Sequence, residues 1–167
     1  IPFARGRVRS RAIDDIKQEA IRLSNNGFCE IVLVGINLTS YGKNESFDLC
    51  DAIDAVCSVD GIKRVRLGSL EPDHITDDML ARFKSQPKFC PQFHLSLQSG
   101  CDATLKRMNR HYDTAFYEDL VNRIRLTFNN AAITTDIMVG FAGETEEEFQ
   151  KNLQFAKIIN FSTFAPG

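Results

Sequence analysis

Near the middle of the chain, a run typical of a strand passes directly into residues that bind charged ligands. Residues 92–98 read QFHLSLQ, Ser99 and Gly100 interrupt the run, and a cationic stretch that includes Arg110 follows. A guanidinium group binds carboxylate or phosphate in bidentate fashion. Glycine permits a tight turn or a close approach of backbone to a ligand. This stretch therefore predicts a site for an anionic group, formed by Gln98, Ser99 and Arg110.

Polar residues and glycines also follow the other apolar runs of the chain. Asn37 and the pair Ser69 and Glu71 each come after such a run, and the sequence GFAGE occupies 140–144. A carboxylate at Glu71 suits an amino group, although a loop acid in solvent is an equal alternative. GFAGE lacks the lysine of a P-loop, so an ordinary connection between a strand and a helix remains an alternative there.

Two further polar residues lie within predicted strands. Asp136 lies in mid-strand, and a buried acid needs a partner, so we expect a cation from a neighbouring strand beside it. His94 alternates with leucines, and we expect an interior histidine with satisfied hydrogen bonds rather than a metal ligand.

The elements that must position these residues alternate along the chain. Apolar runs predict strands near 29–35, 63–69, 92–98 and 132–140, and helical spacing of apolar residues separates them. The last helix opens with a capping box from Thr145 to Glu148. This pattern predicts an α/β fold with adjacent, parallel strands in sequence order. Polar residues follow nearly every strand, which favours part of a (β/α) barrel with one shared mouth over a doubly wound sheet with one switch point.

Composition restricts the class of protein. The 167 residues are 43% hydrophobic and 25% charged, as in ordinary globular domains. No apolar run approaches the roughly 20 residues that span a bilayer. The five cysteines show no zinc-type pairing, and no apolar leader is visible. We therefore expect one soluble domain with reduced thiols in the cytoplasm, without a membrane.

Charge is distributed unevenly. The net charge is -2, but the first eleven residues contain four arginines and no acid, which leaves 16 basic and 22 acidic residues in the remainder. Such a basic arm suggests a polyanionic partner, although a solvated tail is the alternative that charge alone favours. The arginines are Arg5, Arg7, Arg9 and Arg11.

Five stretches in order resemble the radical-SAM methylthiotransferases that modify tRNA: IPFARGRVRSR, EIVLVGINLTSYG, RLGSLEP, HLSLQSGCDATLKRMNRHY and TTDIMVGFAGETEEEF. Their wording looks closest to the subgroup that modifies threonylcarbamoyladenosine beside the anticodon. Enzymes acting on isopentenyladenosine tRNA or on a ribosomal protein are the nearest alternatives. A nucleotide-binding α/β module without radical chemistry and an RNA-binding module are more distant ones.

The resemblance implies a partial (β/α) barrel that binds S-adenosylmethionine against a 4Fe-4S cluster. The cluster cleaves the cofactor to a radical that takes a hydrogen from adenine, and a methylthio group is inserted. The tRNA phosphates would contact the four arginines of the basic arm, which could equally brace the cluster loop. The residues expected on the cofactor side are Asn37, Ser69, Glu71, Gln98, Ser99, Arg110, Gly140, Phe141 and Gly143.

One departure from the family concerns the cluster. The family's CxxxCxxC sequence is absent, none of the five cysteines can replace it, and we expect no metal ligands in this chain. We interpret residues 1–167 as a single domain, a truncated catalytic core without its first barrel strand, its amino-terminal domain and its RNA-binding domain. Such a fragment should be inactive alone, and its exposed sheet edge should favour self-association.

Overall fold

Strands and helices alternate along the chain as predicted. The computed structural model describes residues 11–35, 37–43 and 45–161, and the backbone of 163–166. The strands are β1 (Glu30–Leu33), β2 (Arg64–Leu67), β3 (Ser69–Leu70), β4 (Gln92–Leu95), β5 (Ala132–Ile137) and β6 (Thr163–Pro166). The helices are α1 (Ile13–Asn25), α2 (Leu49–Cys57), α3 (Asp77–Ser85), α4 (Asp102–Arg107), α5 (Thr114–Thr127) and α6 (Glu146–Ile159). Short 3-10 helices occupy Leu38–Ser40 and Pro72–His74.

All strand pairs are parallel and follow sequence order. β1 pairs with β2, and β3, β4, β5 and β6 pair in that order. β2 and β3 are consecutive segments on either side of Gly68, and a bridge from Val65 to Phe89 links β2 to the chain just before β4. Within the described residues the strands do not close into a barrel, and β1 pairs only with β2. The predicted α/β fold with a partial, open barrel is confirmed.

Side-chain alternation gives the sheet two different faces. The outer face buries Val65, Leu67, Phe93, Leu95 and Ile133 against the helices. This face forms one side of the hydrophobic core, and burial of apolar area is the dominant favourable term in folding. The opposite face, called the inner face below, carries mainly polar residues, so it is the face free to bind a ligand.

Gly68 marks the point where the alternation shifts. Leu67 and Leu70 are both buried, and Ser69 between them is exposed. In a regular strand every second residue faces the same side, but Leu67 and Leu70 are three residues apart. The strand therefore contains one extra residue at this point, as in a bulge. The register then places Ser69 beside His94, and His94 beside Thr134, across three neighbouring strands.

Side-chain caps fix the helix ends that border the sheet. The predicted capping box is confirmed: Thr145 accepts from the backbone N–H of Glu148, and Glu148 accepts from that of Thr145. At the other end of α6, Arg125 donates to the carbonyl oxygens of Ile159 and Asn160 at 2.7 and 3.0 Å. Over the residues that the structure describes, no helix has the length and apolar character needed to cross a membrane.

Candidate functional site

An ion pair lies at the carboxyl edge of the strands. Glu71 follows β3, and its carboxylate lies 3.5 Å from the guanidinium of Arg110. About a third of each side chain is exposed. Nε of Arg110 is buried and has no hydrogen-bond partner among the described residues. The two residues, both expected on the cofactor side, therefore meet, and opposite charges side by side fit the ammonium and carboxylate groups of an α-amino acid.

Arg110 reaches this position because the chain leaves α4 before it. The helix ends at Arg107, and Asn109 adopts a left-handed conformation with φ of 57°. The backbone N–H of Arg110 then donates to the carbonyl of Leu105 at 3.0 Å. Arg107 and Arg110 consequently serve different purposes, although their spacing alone would place them on one helical face.

Gln98 lies at the rim through its backbone. It has a left-handed φ of 69°, which is uncommon for a residue other than glycine. Its N–H donates to the carbonyl of Asp136 at 3.0 Å, and its carbonyl accepts from the N–H of Met138 at 2.8 Å. Gln98 thus joins the end of β4 to the end of β5, and its side chain is half-buried.

Ser99 and Gly100 both make close contacts within the protein. Ser99 is fully buried, and its hydroxyl accepts from the N–H of Cys101 at 3.2 Å. The hydroxyl of Ser99 therefore caps the following turn, and its expected place on the cofactor side stays a prediction. A Cβ on Gly100 would lie 2.7 Å from Cβ of Phe155 and 2.9 Å from the carbonyl oxygen of Asn152. The close approach that requires glycine is to α6, not to a ligand.

The loop after β5 is closed on itself. Gly140 and Gly143 have φ of 76° and 82°, a region that favours glycine. Glu144 accepts from the N–H of Gly140 at 3.2 Å, and its own N–H donates to the carbonyl of Phe141 at 2.8 Å. The predicted residues Gly140, Phe141 and Gly143 therefore form one compact turn at the carboxyl end of β5.

Arg107 joins this loop to the chain that follows β4. It donates to both carboxylate oxygens of Glu148, at 2.8 and 2.7 Å, and lies against Gly143. The hydrogen bonds from Arg107 lower the pKa of Glu148 to about 2. This bidentate pair fixes the two loops relative to each other.

A hydrogen-bonded chain of three side chains on the inner face was only partly predicted. Nδ1 of His94 lies 2.8 Å from the hydroxyl of Thr134, and Nε2 lies 3.1 Å from Oδ2 of Asp136. His94 has its hydrogen bonds satisfied, as expected, and it is the partner of Asp136, but His94 is half-buried rather than interior and the Asp136 side chain is 44% exposed rather than buried. Strand register, which sequence alternation does not specify between strands, brings them together.

A second inner-face network was not predicted. Arg66, the third residue of β2, contacts the first residues of β1 and β4: Glu30 at 2.8 Å and Gln92 at 3.0 Å. The sequence alternation could have placed Arg66 on the inner face, since Arg64 and Arg66 alternate with the buried residues Val65 and Leu67.

The remaining predicted residues are scattered. Ser69 is exposed on the inner face, and Asn37 is exposed in the loop after β1, where it accepts from Thr39 at 3.4 Å. Arg11 is exposed, and its carbonyl accepts from the hydroxyl of Tyr41. Three predicted residues lie outside the described residues: Arg5, Arg7 and Arg9.

A groove of about 400 Å³ lies away from these residues, between α1, β1 and α2. Its lining is mostly apolar and includes Ile31, Val32 and Leu38. Val32 and Val34 are 50% and 75% exposed. Among the described residues, this groove runs along the edge of β1 that pairs with no other strand.

The cysteines do not fit an iron–sulfur cluster. Cys50, Cys57 and Cys101 are buried, Cys90 is half-buried and Cys29 is exposed. Burial raises the pKa of Cys50 to about 12 and that of Cys57 to about 11. In the described part of the chain, no three cysteine, histidine or acidic residues are grouped to hold a metal. We therefore derive no step through a cluster.

Comparison with known proteins gives a consistent result. A family model for the Radical SAM superfamily matches residues 2–156. Curated relatives named tRNA-2-methylthio-N(6)-dimethylallyladenosine synthase include those of Clostridium botulinum (strain Loch Maree / Type A3), at 40% identity, and Clostridium tetani (strain Massachusetts / E88), at 41%. Each alignment covers 98% of this chain, but only 37% and 36% of those proteins. The chain thus spans little more than a third of their length.

Solved structures share the fold at low sequence identity. Coproporphyrinogen III oxidase from Escherichia coli, a radical SAM enzyme, has 15% identity and a TM-score of 0.72 over 92% of this chain and 36% of its own. The radical S-adenosylmethionine methyltransferase TsrM from Kitasatospora setae, with cobalamin and a 4Fe-4S cluster bound, has 13% identity and a TM-score of 0.73 over 94% and 31%. These similarities concern the fold alone.

Proposed function

The chain belongs to the radical SAM superfamily, and we propose that it is the catalytic core of an enzyme that adds a methylthio group to an adenosine of tRNA. The names of the relatives at about 40% identity support this reaction. The observation in the structure that carries the proposal is the Glu71–Arg110 pair at the carboxyl edge of a polar sheet face.

The identity of the modified adenosine is the finer part of the proposal. The prediction of threonylcarbamoyladenosine finds no support in the names of the relatives, which specify N(6)-dimethylallyladenosine. We therefore place dimethylallyladenosine first. Threonylcarbamoyladenosine stays a second candidate because of the wording of GINLTSYG, LGSLEP and FHLSLQSGCD. Assays on tRNA carrying each modification distinguish the two.

Residues of this chain fit S-adenosylmethionine. Glu71 would hold its ammonium group, Arg110 would hold its carboxylate, and the turn from Gly140 to Gly143 would contact it through backbone groups. The unpartnered Nε of Arg110 is consistent with this assignment, because a buried donor without a partner is costly. When bound against a reduced cluster, the cofactor supplies the radical for the reaction. The chain's own part is to orient the cofactor and to shield the site from water.

The proposal extends to the partner, the location and the self-association of the protein. Its partner would be tRNA, whose phosphates the arginines of the basic arm would contact with a strong dependence on salt. The protein would act in the cytoplasm. The isolated chain would self-associate through the open edge of β1, because an unpaired strand edge accepts another strand.

The test of the proposal is the variant Arg110→Lys in the intact enzyme. Lysine keeps the charge but loses the planar fork that fixes orientation. Methylthio product formed on purified tRNA should fall by about tenfold or more, equivalent to roughly 1.4 kcal/mol of transition-state stabilisation. The melting temperature should stay unchanged. Arg64→Lys is the matched control, because Arg64 is exposed and forms no ion pair among the described residues.

Wild-type turnover in Arg110→Lys would show that Arg110 is a solvated charge. A large fall in melting temperature would show that it is structural. If the wild-type enzyme forms methylthio product neither on tRNA with dimethylallyladenosine nor on tRNA with threonylcarbamoyladenosine, the proposed reaction itself is refuted.

A further inference from the structure

The turn from Gly140 to Gly143 has few bonds of its own to fix its conformation. Both glycines have left-handed φ angles, and glycine loses more conformational freedom on ordering than any other residue. Within the turn, the carboxylate of Glu144 accepts from the N–H of Gly140, and the N–H of Glu144 donates to the carbonyl of Phe141. Such a turn needs contacts with other elements to hold a single conformation.

Those contacts come from the chain that follows β4. Before the turn, the N–H of Met138 donates to the carbonyl of Gln98 at 2.8 Å. After the turn, Arg107 donates to both carboxylate oxygens of Glu148, at 2.8 and 2.7 Å. A Cβ on Gly143 would lie 3.7 Å from Nε of Arg107. The guanidinium therefore lies against the turn itself as well as against Glu148.

The Arg107–Glu148 pair, called the clamp below, has a fixed geometry. The side chain of Glu148 is only 14% exposed, and that of Arg107 is 36% exposed. The carboxylate of Glu148 is held from a second side, because it accepts from the backbone N–H of Thr145 at 3.0 Å. A bidentate pair fixes direction as well as distance. The clamp therefore holds the end of the turn in one place relative to α4.

The same segment of chain carries the other part of the proposed cofactor site. Arg110 follows Arg107 by three residues, and its guanidinium lies 3.5 Å from the carboxylate of Glu71. The chain that follows β4 thus contacts both the ion pair proposed for the amino-acid group and the turn proposed to contact the cofactor through its backbone. The clamp is the side-chain link between these two parts.

From these contacts, and resting on the proposed function, we infer that Arg107 and Glu148 are positioning residues for the adenosyl part of the cofactor. They hold the turn from Gly140 to Gly143 in the conformation that binds, and neither needs to touch the cofactor. When the clamp is broken, the turn samples other conformations, and the apparent Kd rises in inverse proportion to the competent fraction. The ion pair at the rim keeps its own contacts.

The experiment uses two probes that contain no reactive sulfonium. S-adenosylhomocysteine has an adenosyl part and an amino-acid group, and 5′-methylthioadenosine has no amino-acid group. Each is titrated into the intact protein by isothermal titration calorimetry. Arg107→Lys keeps the charge but loses the planar fork. It should raise the Kd for both probes by the same factor, about fivefold if roughly a fifth of the turns stay competent. Arg110→Lys should raise the Kd for S-adenosylhomocysteine alone.

Glu148→Gln tests the clamp from the other partner. Glutamine also fits a capping box, so the start of α6 is kept while the bidentate pair is lost. The Kd for both probes should rise as it does in Arg107→Lys. The double variant should bind no more weakly than either single variant, because each change removes the same interaction.

Two matched controls alter ion pairs that do not involve the turn. Arg123→Lys changes an arginine that pairs with Asp77 and Asp119, and Glu147→Gln changes an acid of α6 that pairs with Lys151. Both controls should keep the wild-type Kd for each probe.

Hydrogen exchange reports on the turn without any probe. The peptide that contains residues 138–145 should exchange faster in Arg107→Lys and in Glu148→Gln than in the wild-type protein. The peptides that contain β4 and β5 should keep the wild-type rates, since the sheet does not depend on the clamp.

The outcomes are distinct. Unchanged Kd values for both probes, or unchanged exchange of the turn, overturn the inference and leave the proposed function intact. A rise for S-adenosylhomocysteine alone also overturns it, because the clamp would then act on the amino-acid end. An equal rise in the controls assigns the effect to general loss of stability and overturns it as well. Failure of the wild-type protein to bind S-adenosylhomocysteine overturns the proposed cofactor site together with the inference. If one clamp variant does not fold, the other decides.

Discussion

Replacing Gly100 with alanine adds one methyl group where α6 lies against the turn after β4. The new Cβ would lie 2.7 Å from Cβ of Phe155 and 2.9 Å from the carbonyl oxygen of Asn152. The N–H of Gly100 also donates to Oδ1 of Asn152 at 2.6 Å, and Asn152 is only 1% exposed. The substitution must therefore push α6 away and stretch a buried hydrogen bond.

The expected cost follows from these two contacts. Overpacking of this kind costs about 1–3 kcal/mol, and a weakened buried hydrogen bond adds about 1 kcal/mol. The lower backbone entropy of alanine in the unfolded chain offsets roughly 0.5 kcal/mol. We expect Gly100→Ala to lower the free energy of unfolding by about 2 kcal/mol.

Urea unfolding of the 167-residue chain, followed by circular dichroism, measures this loss, since the chain contains no tryptophan. At a slope of about 2 kcal/mol/M, the midpoint should fall by roughly 1 M. Gly35→Ala is the matched control, because its Cβ would meet Leu38 at an ordinary 3.6 Å. Equal midpoints for the two variants would refute the packing explanation, and Gly100 would again be a candidate for close approach to a ligand.

Three further predictions concern titration, thiols and iron. The hydrogen bonds from Arg107 lower the pKa of Glu148 from 4.5 to about 2. The contribution of this ion pair to stability is therefore complete above about pH 4.5 and is lost as pH falls towards 2. Glu148→Gln should flatten the dependence of the urea midpoint on pH in that window. Iodoacetamide at pH 8 should label exposed Cys29 before Cys50 and Cys57, whose pKa values burial raises to about 12 and about 11; mass spectrometry checks the order, and early labelling of either buried thiol would contradict it. Reconstitution of this chain with iron and sulfide should give no stoichiometric cluster, and about four irons per chain with a cluster absorption band would disprove that expectation.

Much of the fold follows from local sequence. Apolar runs separated by helical spacing predicted parallel strands, and polar residues after those runs predicted where the candidate site lies. The capping box between Thr145 and Glu148 was predictable because both partners lie within one turn of chain. Such features depend on residues close in sequence, so they could be inferred without knowing how the elements pack.

The tertiary structure decided which polar residues face the open sheet. Ser99 and Gly100 look like ligand-binding residues in sequence, but the docking of α6 buries the first and closes over the second. Asp136 and His94 meet because strand register aligns β4 with β5. Register and helix docking are set by contacts between residues tens of positions apart. Spacing along the chain indicates that a residue is polar and near a strand end, but only these distant contacts determine where its side chain points.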